Sequence, residues 1–274
     1  MKLIPRSLLK YLSKAARPWL GTQGLLLTAK LYNRSALVWN PQAETVLVLA
    51  PHMDDEVIGC GGTLARQIAA GATVTVVFLT DGNGPGVMPP DVDAGAAQTT
   101  SIGQLRRREA VAALAELDIH DILYLDAADG EVARTPGLDV RLREHLLRIR
   151  PDVVYLPFFL EEHPDHRAAS YLLRDAVQGT GLKFRCVGYE VWTPLFPNCF
   201  VDIDSTVEIK KKAIGRYRTQ VADTDYIHSA LGLNAYRSSA LLSHCRFVEA
   251  FCALPVHDYL ELLGAYGRSA ITSE

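Results

Sequence analysis

Two patterns of apolar positions recur along this chain. Thr45–Ala50 (TVLVLA) and Thr73–Thr80 (TVTVVFLT) are almost unbroken runs of apolar and β-branched residues. Such runs suit strands buried on both faces of a parallel sheet, because a strand with one wet face alternates instead. Between them, Glu56–Ala70 carries the helical period and is followed by Gly71, the residue type that most readily takes the left-handed turn after a helix. The same order continues, with a helix predicted at about Gln104–Glu116 and a strand at Ile122–Leu125. A further helix is predicted at about Val140–Arg150 and a strand at Val153–Leu156. Strands alternating with helices predict an α/β fold: an open, doubly wound, mostly parallel sheet with helices on both faces.

After about Phe184 the pattern shortens. Extended pieces at Arg185–Val191 and Asn198–Ile203 precede helices near Ser205–Tyr217 and Tyr226–Ser243, read as a continuation of the same domain. Residues 41–274 are therefore expected as one domain, preceded by a basic amphipathic extension, residues 1–40. In that extension Lys2, Arg6, Lys10 and Lys14 fall at steps of four, with Leu8, Leu9, Tyr11, Leu12 and Trp19 between them. On a helix this gives a basic stripe beside an apolar one, which either packs on the domain or rests on a membrane surface. Charges interrupt the place where the apolar core of a signal peptide belongs. Asp81–Ser101, rich in Gly, Pro, Asp and Ala, reads as a long loop after the second strand, expected at the rim of a site.

Composition narrows the function classes. A chain of 274 residues buries enough surface to fold without disulfides. The net charge of −3 supplies no overall positive field for nucleic acid. The cysteines, Cys60, Cys186, Cys199, Cys245 and Cys252, are odd in number and contain no C-x-x-C pair, so reduced thiols are expected. Cys245 and Cys252 are seven apart, a core spacing on a helix. No run approaches the ~18 apolar residues of a membrane span. The expected location is the cytoplasm, with peripheral membrane contact only through residues 1–20.

Two clusters of metal-ligand residues follow predicted strands. Pro51-His52-Met53-Asp54-Asp55-Glu56 follows the first, and His163-Pro164-Asp165-His166 follows Val153–Leu156. Ligands of open α/β sheets bind beyond the carboxyl ends of the strands. His52 and Asp55 are three apart across a strand-to-helix turn, so both reach one centre. Pro164 suits a first helical turn, which puts His163 at the helix entrance and His166 one turn inside on a similar azimuth. Two histidines and a carboxylate with an open fourth position are the donor set of a catalytic zinc. Such an ion activates water and polarises a carbonyl, and hydrolysis then needs a base and a cation or acid nearby. A carboxylate beside the ligands and the remaining histidine are the candidates. Asp-Asp-Glu alone also reads as a helix cap and dipole partner. Gly59-Cys60-Gly61-Gly62 reads as close helix–sheet packing, since its spacing misses the dinucleotide fingerprint.

The two motifs together resemble those of the PIG-L (LmbE-like) N-deacetylase family. The resemblance runs on through Leu79-Thr80-Asp81-Gly82, Arg106–Glu109, Tyr189-Glu190-Val191-Trp192 and Val201-Asp202-Ile203-Asp204 to Lys212, Tyr217 and Gln220. It implies a Rossmann-like fold and zinc-dependent removal of the N-acetyl group from an N-acetylglucosamine-type conjugate. His52, Asp55 and His166 match the family's metal ligands, and Asp54 its general base. His163 matches the histidine that assists at the oxyanion or leaving nitrogen. Asp165 matches the residue that orients a histidine, and Arg106 a substrate-contacting arginine. Met53 stands where many members have proline. Two other readings stand beside this one: a zinc amidase for longer acyl chains, and a non-catalytic sugar-binding relative.

Overall fold

The computed structural model describes residues 37–84, 101–241 and 244–271. The stripe within residues 1–20 and residues 85–100 of the expected loop lie outside the described residues. The strands are β1 (Leu37–Val38), β2 (Thr45–Ala50), β3 (Thr73–Thr80), β4 (Asp121–Ala127), β5 (Val153–Pro157), β6 (Arg185–Tyr189), β7 (Cys199–Asp202) and β8 (Val248–Pro255). They form one sheet in the order β1-β7-β8-β6-β5-β2-β3-β4. β8 runs antiparallel to both of its neighbours, and the other pairings are parallel.

The unbroken apolar strands are explained by two covered faces. Val46, Val48 and Ala50 of β2 join one core, whereas Leu47 and Leu49 join the other. The first core is covered by α1 (Asp55–Ala69), α2 (Ile102–Ala115) and α5 (Val207–Arg216), with Ala230 of α7 (Tyr226–Ser238) packed at its side. The second is covered by α3 (Leu138–Ile149), α4 (Pro164–Val177) and α8 (Val256–Ile271). A short helix, α6 (Arg218–Val221), links α5 to α7. Among the described residues, no helix is long and apolar enough to cross a membrane.

The glycine run in α1 brings the helix close to its neighbours. A Cβ on Gly59 would overlap the ring of Tyr189, and one on Gly62 would lie 2.9 Å from Ile203. The expected helical pairing of Cys245 with Cys252 is not found. α7 ends at Ser238, and Cys252 lies inside β8, on a strand of the second core and not on a helix. Seven-residue spacing also places two residues one strand and one turn apart, and the pattern alone does not separate these cases.

The strand order places the site. From β2 the chain steps outward to β3 and β4, then returns to β5 on the other side of β2. The connections leaving β2 and β5 therefore diverge, and a crevice opens above their carboxyl ends. Both histidine-bearing motifs begin there.

A candidate metal centre at the sheet switch point

The turn after β2 is locked before any ligand is considered. Thr80 donates its backbone N–H and its hydroxyl to the carbonyl of Pro51, at 3.1 and 2.8 Å. Asp54 is the N-cap of α1 with φ 138° and ψ −25°, a conformation that side-chain-bearing residues seldom adopt. Its N–H is accepted by Oε2 of Glu56 at 3.1 Å, and the other Glu56 oxygen accepts from the Tyr217 hydroxyl. Glu56, fully buried, thus ties the strained turn to the end of α5. Burial raises its pKa to about 8 against the opposing effect of Tyr217 and the amides of residues 56 and 54.

At α4 the local order follows the sequence. His163 is the N-cap and Pro164 the first helical residue. The Asp165 N–H donates to Nδ1 of His163 at 3.2 Å, so in the neutral ring Nε2 carries the hydrogen. Burial first, then the nearby His52 and His166, lowers the His163 pKa and keeps that ring neutral.

Three donor atoms converge in the crevice. His52 Nδ1 lies 3.3 Å from His166 Nε2 and 3.5 Å from Asp55 Oδ2, and His166 Nε2 lies 3.2 Å from the same oxygen. A tetrahedral ion with ligand bonds of about 2.0–2.1 Å holds its ligand atoms about 3.3–3.4 Å apart. The triangle therefore fits such an ion without rearrangement. His166 is wholly buried and Asp55 nearly so. Burial raises the Asp55 pKa, but His166 and His52 outweigh it and hold the carboxylate ionised. Burial likewise lowers the His166 pKa, but Asp55 and Glu161 reverse this and lift it to about 9.

The outer faces of both rings meet carboxylates. His52 Nε2 lies 3.4 Å from Asp129 and 3.4 Å from Asp165, and His166 Nδ1 lies 3.8 Å from Glu161. Carboxylates behind metal-binding histidines fix ring orientation and raise ligand basicity. His52, Asp129 and Asp165 could themselves hold an ion, since one atom of each lies within 4.8 Å of the others. Asp165, however, already accepts from the N–H groups of Gly130 and Val132, at 2.7 and 3.1 Å. His166 and Asp55 carry no such commitments to backbone beyond the His52 N–H on Asp55. The deeper triangle is the better ion site.

A cavity of ≈190 Å³ opens onto this centre, walled by His52, Asp54, Asp55, Asp129, His163 and Arg106 among others. The structure thus places His52, Asp54, Asp55, Arg106, His163, Asp165 and His166 around one centre. Asp54 lines the cavity. Burial, with Asp55 and Glu56 alongside, raises its pKa. Arg106 is buried and donates to the carbonyls of Gly82 and Gly84 and to Gln220, at 2.9, 3.3 and 3.2 Å. It bolts the start of the loop after β3 to α6. Met53 lies in the core beneath the site and reaches the cavity wall.

Sequence reasoning missed Asp129 and Glu161. Asp129 sits in an Asp-Gly turn just past the carboxyl end of β4, a signal that marks a turn and no chemistry. Glu161 precedes His163 by two residues and accepts the N–H groups of Val191, Trp192 and Thr193. Neither resembles a ligand until β4, β5 and β6 are aligned.

The chain is similar to known deacetylases. The family model described as "PIG-L: GlcNAc-PI de-N-acetylase" matches residues 47–177. A diacetylchitobiose deacetylase of Thermococcus kodakarensis is 31% identical over 193 residues, covering 64% of this chain and 69% of that protein. A 1D-myo-inositol 2-acetamido-2-deoxy-alpha-D-glucopyranoside deacetylase of Rhodococcus erythropolis is 33% identical over 177 residues, covering 56% of this chain. This chain spans 60% of that relative's length. The structure of N,N′-diacetylchitobiose deacetylase from Pyrococcus horikoshii superposes with a TM-score of 0.64 at 26% identity, covering 78% of this chain and 85% of the other.

Proposed function

Because the chain belongs to the PIG-L family of deacetylases, we propose that it is a zinc-dependent hydrolase removing the acetyl group from the nitrogen of an N-acetylglucosamine-type conjugate. The observation that carries this reading is the tetrahedral-sized triangle of His52, Asp55 and His166 opening onto a cavity that also presents Asp54 and His163. A zinc ion held by those three side chains supplies a Lewis acid that activates water and polarises a carbonyl.

The rest is the work of the chain's own groups. The Asp54 carboxylate takes the proton of the attacking water, and its strained turn holds it at the cavity wall beside Asp55. His163, with its Nδ1 occupied by the Asp165 N–H, offers an Nε2–H to the oxygen that gains charge. The proton on Asp54 then passes to the leaving nitrogen, which departs as the amine, while the acetyl group leaves as acetate. Asp165 and Asp129 orient His52, and Glu161 orients His166. Arg106, at the cavity wall, contacts the sugar. Residues 41–274 carry the activity. The protein is cytoplasmic in this reading, and residues 1–20 are the segment through which a peripheral membrane contact would be made.

Zinc content and amine release, measured on the same variants, test these roles. Asp55→Asn is expected to lose both zinc and activity. Asp54→Asn and His163→Ala are expected to keep zinc, with Asp54→Asn slowed by about 10²–10⁴-fold. Loss of zinc from Asp54→Asn, with zinc and activity kept in Asp55→Asn, would refute the assignment.

A further inference from the structure

The turn beyond β3, Asp81-Gly82-Asn83-Gly84, leads past the metal cavity, whose wall includes Gly82. Its backbone is pinned from several directions. The Asp81 N–H donates to the Ala127 carbonyl at the end of β4, at 2.8 Å. Asn83 folds back, and its backbone N–H and side-chain amide both donate to the Asp81 carboxylate, at 2.9 and 2.8 Å. Oδ1 of Asn83 accepts the N–H of Gly103, in the first turn of α2, at 3.2 Å. Arg106, one turn further along α2, donates to the carbonyls of Gly82 and Gly84. The turn is thus fastened to β4 and to α2, and its backbone has little room to retreat.

Gly84 ends this turn against Asp129. A Cβ on Gly84 would overlap the Asp129 carboxylate, with Oδ2 the nearest atom and Cγ 2.5 Å away. Backbone conformation is not what demands glycine here. Gly82 holds φ 76°, in the left-handed region that favours glycine, and Gly84 does not share it. The space that a Cβ at 84 would take is filled by a side chain of the metal centre.

Asp129 depends on that space more than its neighbour does. His52 Nε2 lies 3.4 Å from Asp129 Oδ1 and 3.4 Å from Asp165 Oδ2. Asp165 is clamped by the amides of Gly130 and Val132. Among the described residues Asp129 has no such clamp, and its ion pair is with His52. Its side chain is 22% exposed, so a carboxylate pushed from its place has solvent to turn into. With the bare Cα of Gly84 beside Oδ2, Oδ1 is left facing the imidazole.

We infer that Gly84 is a positioning residue for the metal centre: its missing side chain leaves the space in which Asp129 stands behind His52, and a Cβ at 84 expels that carboxylate from the ring. The inference rests on the reading of His52, Asp55 and His166 as metal ligands. It assigns Gly84 a role that acts through Asp129 alone, and this makes the role separable from any effect on the fold.

The test is zinc affinity, read by competition with a chelator of known strength, so it does not depend on the acetyl-sugar chemistry. A carboxylate behind a metal-binding histidine is typically worth about 10–100-fold in metal affinity. Gly84→Ala is expected to weaken zinc binding by about tenfold or more, and Asp129→Ala by a similar factor. Gly84→Ala/Asp129→Ala should bind zinc as well as Asp129→Ala alone, because the carboxylate that the new methyl strikes is gone. Failure of the two effects to add marks one shared mechanism, whereas a general loosening of the turn lowers affinity in both backgrounds. Unchanged zinc affinity in Gly84→Ala, or an equal drop with and without Asp129, overturns the inference. If Gly84→Ala folds poorly, the double variant decides: it must fold and match the zinc affinity of Asp129→Ala, and a double variant that does not overturns the inference. Parent protein that binds zinc but releases no amine refutes the deacetylase reading and leaves this comparison intact. Parent protein that binds no zinc refutes the metal centre and this inference together.

Discussion

Replacing Asp54 by glycine is expected to make the protein more stable and nearly inactive. Asp54 holds φ 138° and ψ −25°, outside the regions open to residues with a Cβ. A strained residue of this kind costs on the order of 1–3 kcal/mol, and glycine removes that cost. Glycine also gives the unfolded chain more freedom, which takes back about 0.5–1 kcal/mol. The substitution also removes a buried carboxylate whose nearest charged neighbours in sequence, Asp55 and Glu56, are likewise acidic and push its pKa up. The net expectation is a gain on the order of 1–2 kcal/mol, which for a chain of this size is about 2–8 °C in Tm. Amine release should fall by about 10²–10⁴-fold, because the substitution removes the carboxylate proposed as the base. Thermal melts of chelated protein, Asp54→Asn and Asp54→Gly give the first quantity, and amine release by the zinc-loaded forms gives the second. Asp54→Asn keeps the Cβ and should gain less than Asp54→Gly. A glycine variant that melts below both the parent and Asp54→Asn would show that the turn is not strained, and the argument that stability is given up to place the base would fail.

Lys210 and Glu249 are fully buried partners 2.6 Å apart, and Glu249 also accepts from the amides of Gly62 and Thr63. Lys210→Met should destabilise by about 3–5 kcal/mol in urea titrations, with more than half recovered in Lys210→Met/Glu249→Gln. A single variant within ~1 kcal/mol of the parent would contradict the pairing. Gly59→Ala forces a Cβ against the Tyr189 ring, whose hydroxyl is held by the Leu49 carbonyl at 2.9 Å. A loss of at least about 1–3 kcal/mol is expected, relieved by adding Tyr189→Leu, and an unshifted Tm in Gly59→Ala would contradict the close packing. Zinc at a hundredfold excess over Kd should stabilise chelated protein by about 2.7 kcal/mol, read as a rise in Tm that disappears in His166→Ala. Persistence of the full rise in that variant would move the ion elsewhere, the Asp129 and Asp165 side of His52 being the alternative.

Much of the site was legible in the sequence because it is built from short-range spacing at strand ends. His52 and Asp55 bracket one strand-to-helix turn, and Pro164 sets His163 and His166 on one helical turn. The apolar runs of β2, β3 and β5 announced a sheet covered on both faces, and each face of those strands carries a large core. What depends on partners far along the chain was not legible. β8 reads poorly as a strand because Glu249 interrupts it, and only the folded chain brings Lys210 and the start of α1 to that carboxylate. Asp129 and Glu161 became neighbours of the histidines only once β4, β5 and β6 were in register with β2. Local spacing encodes which side chains share a turn, because backbone geometry repeats over a few residues. Which turns face one another depends on strand order, and that is decided by how two apolar faces are buried at once.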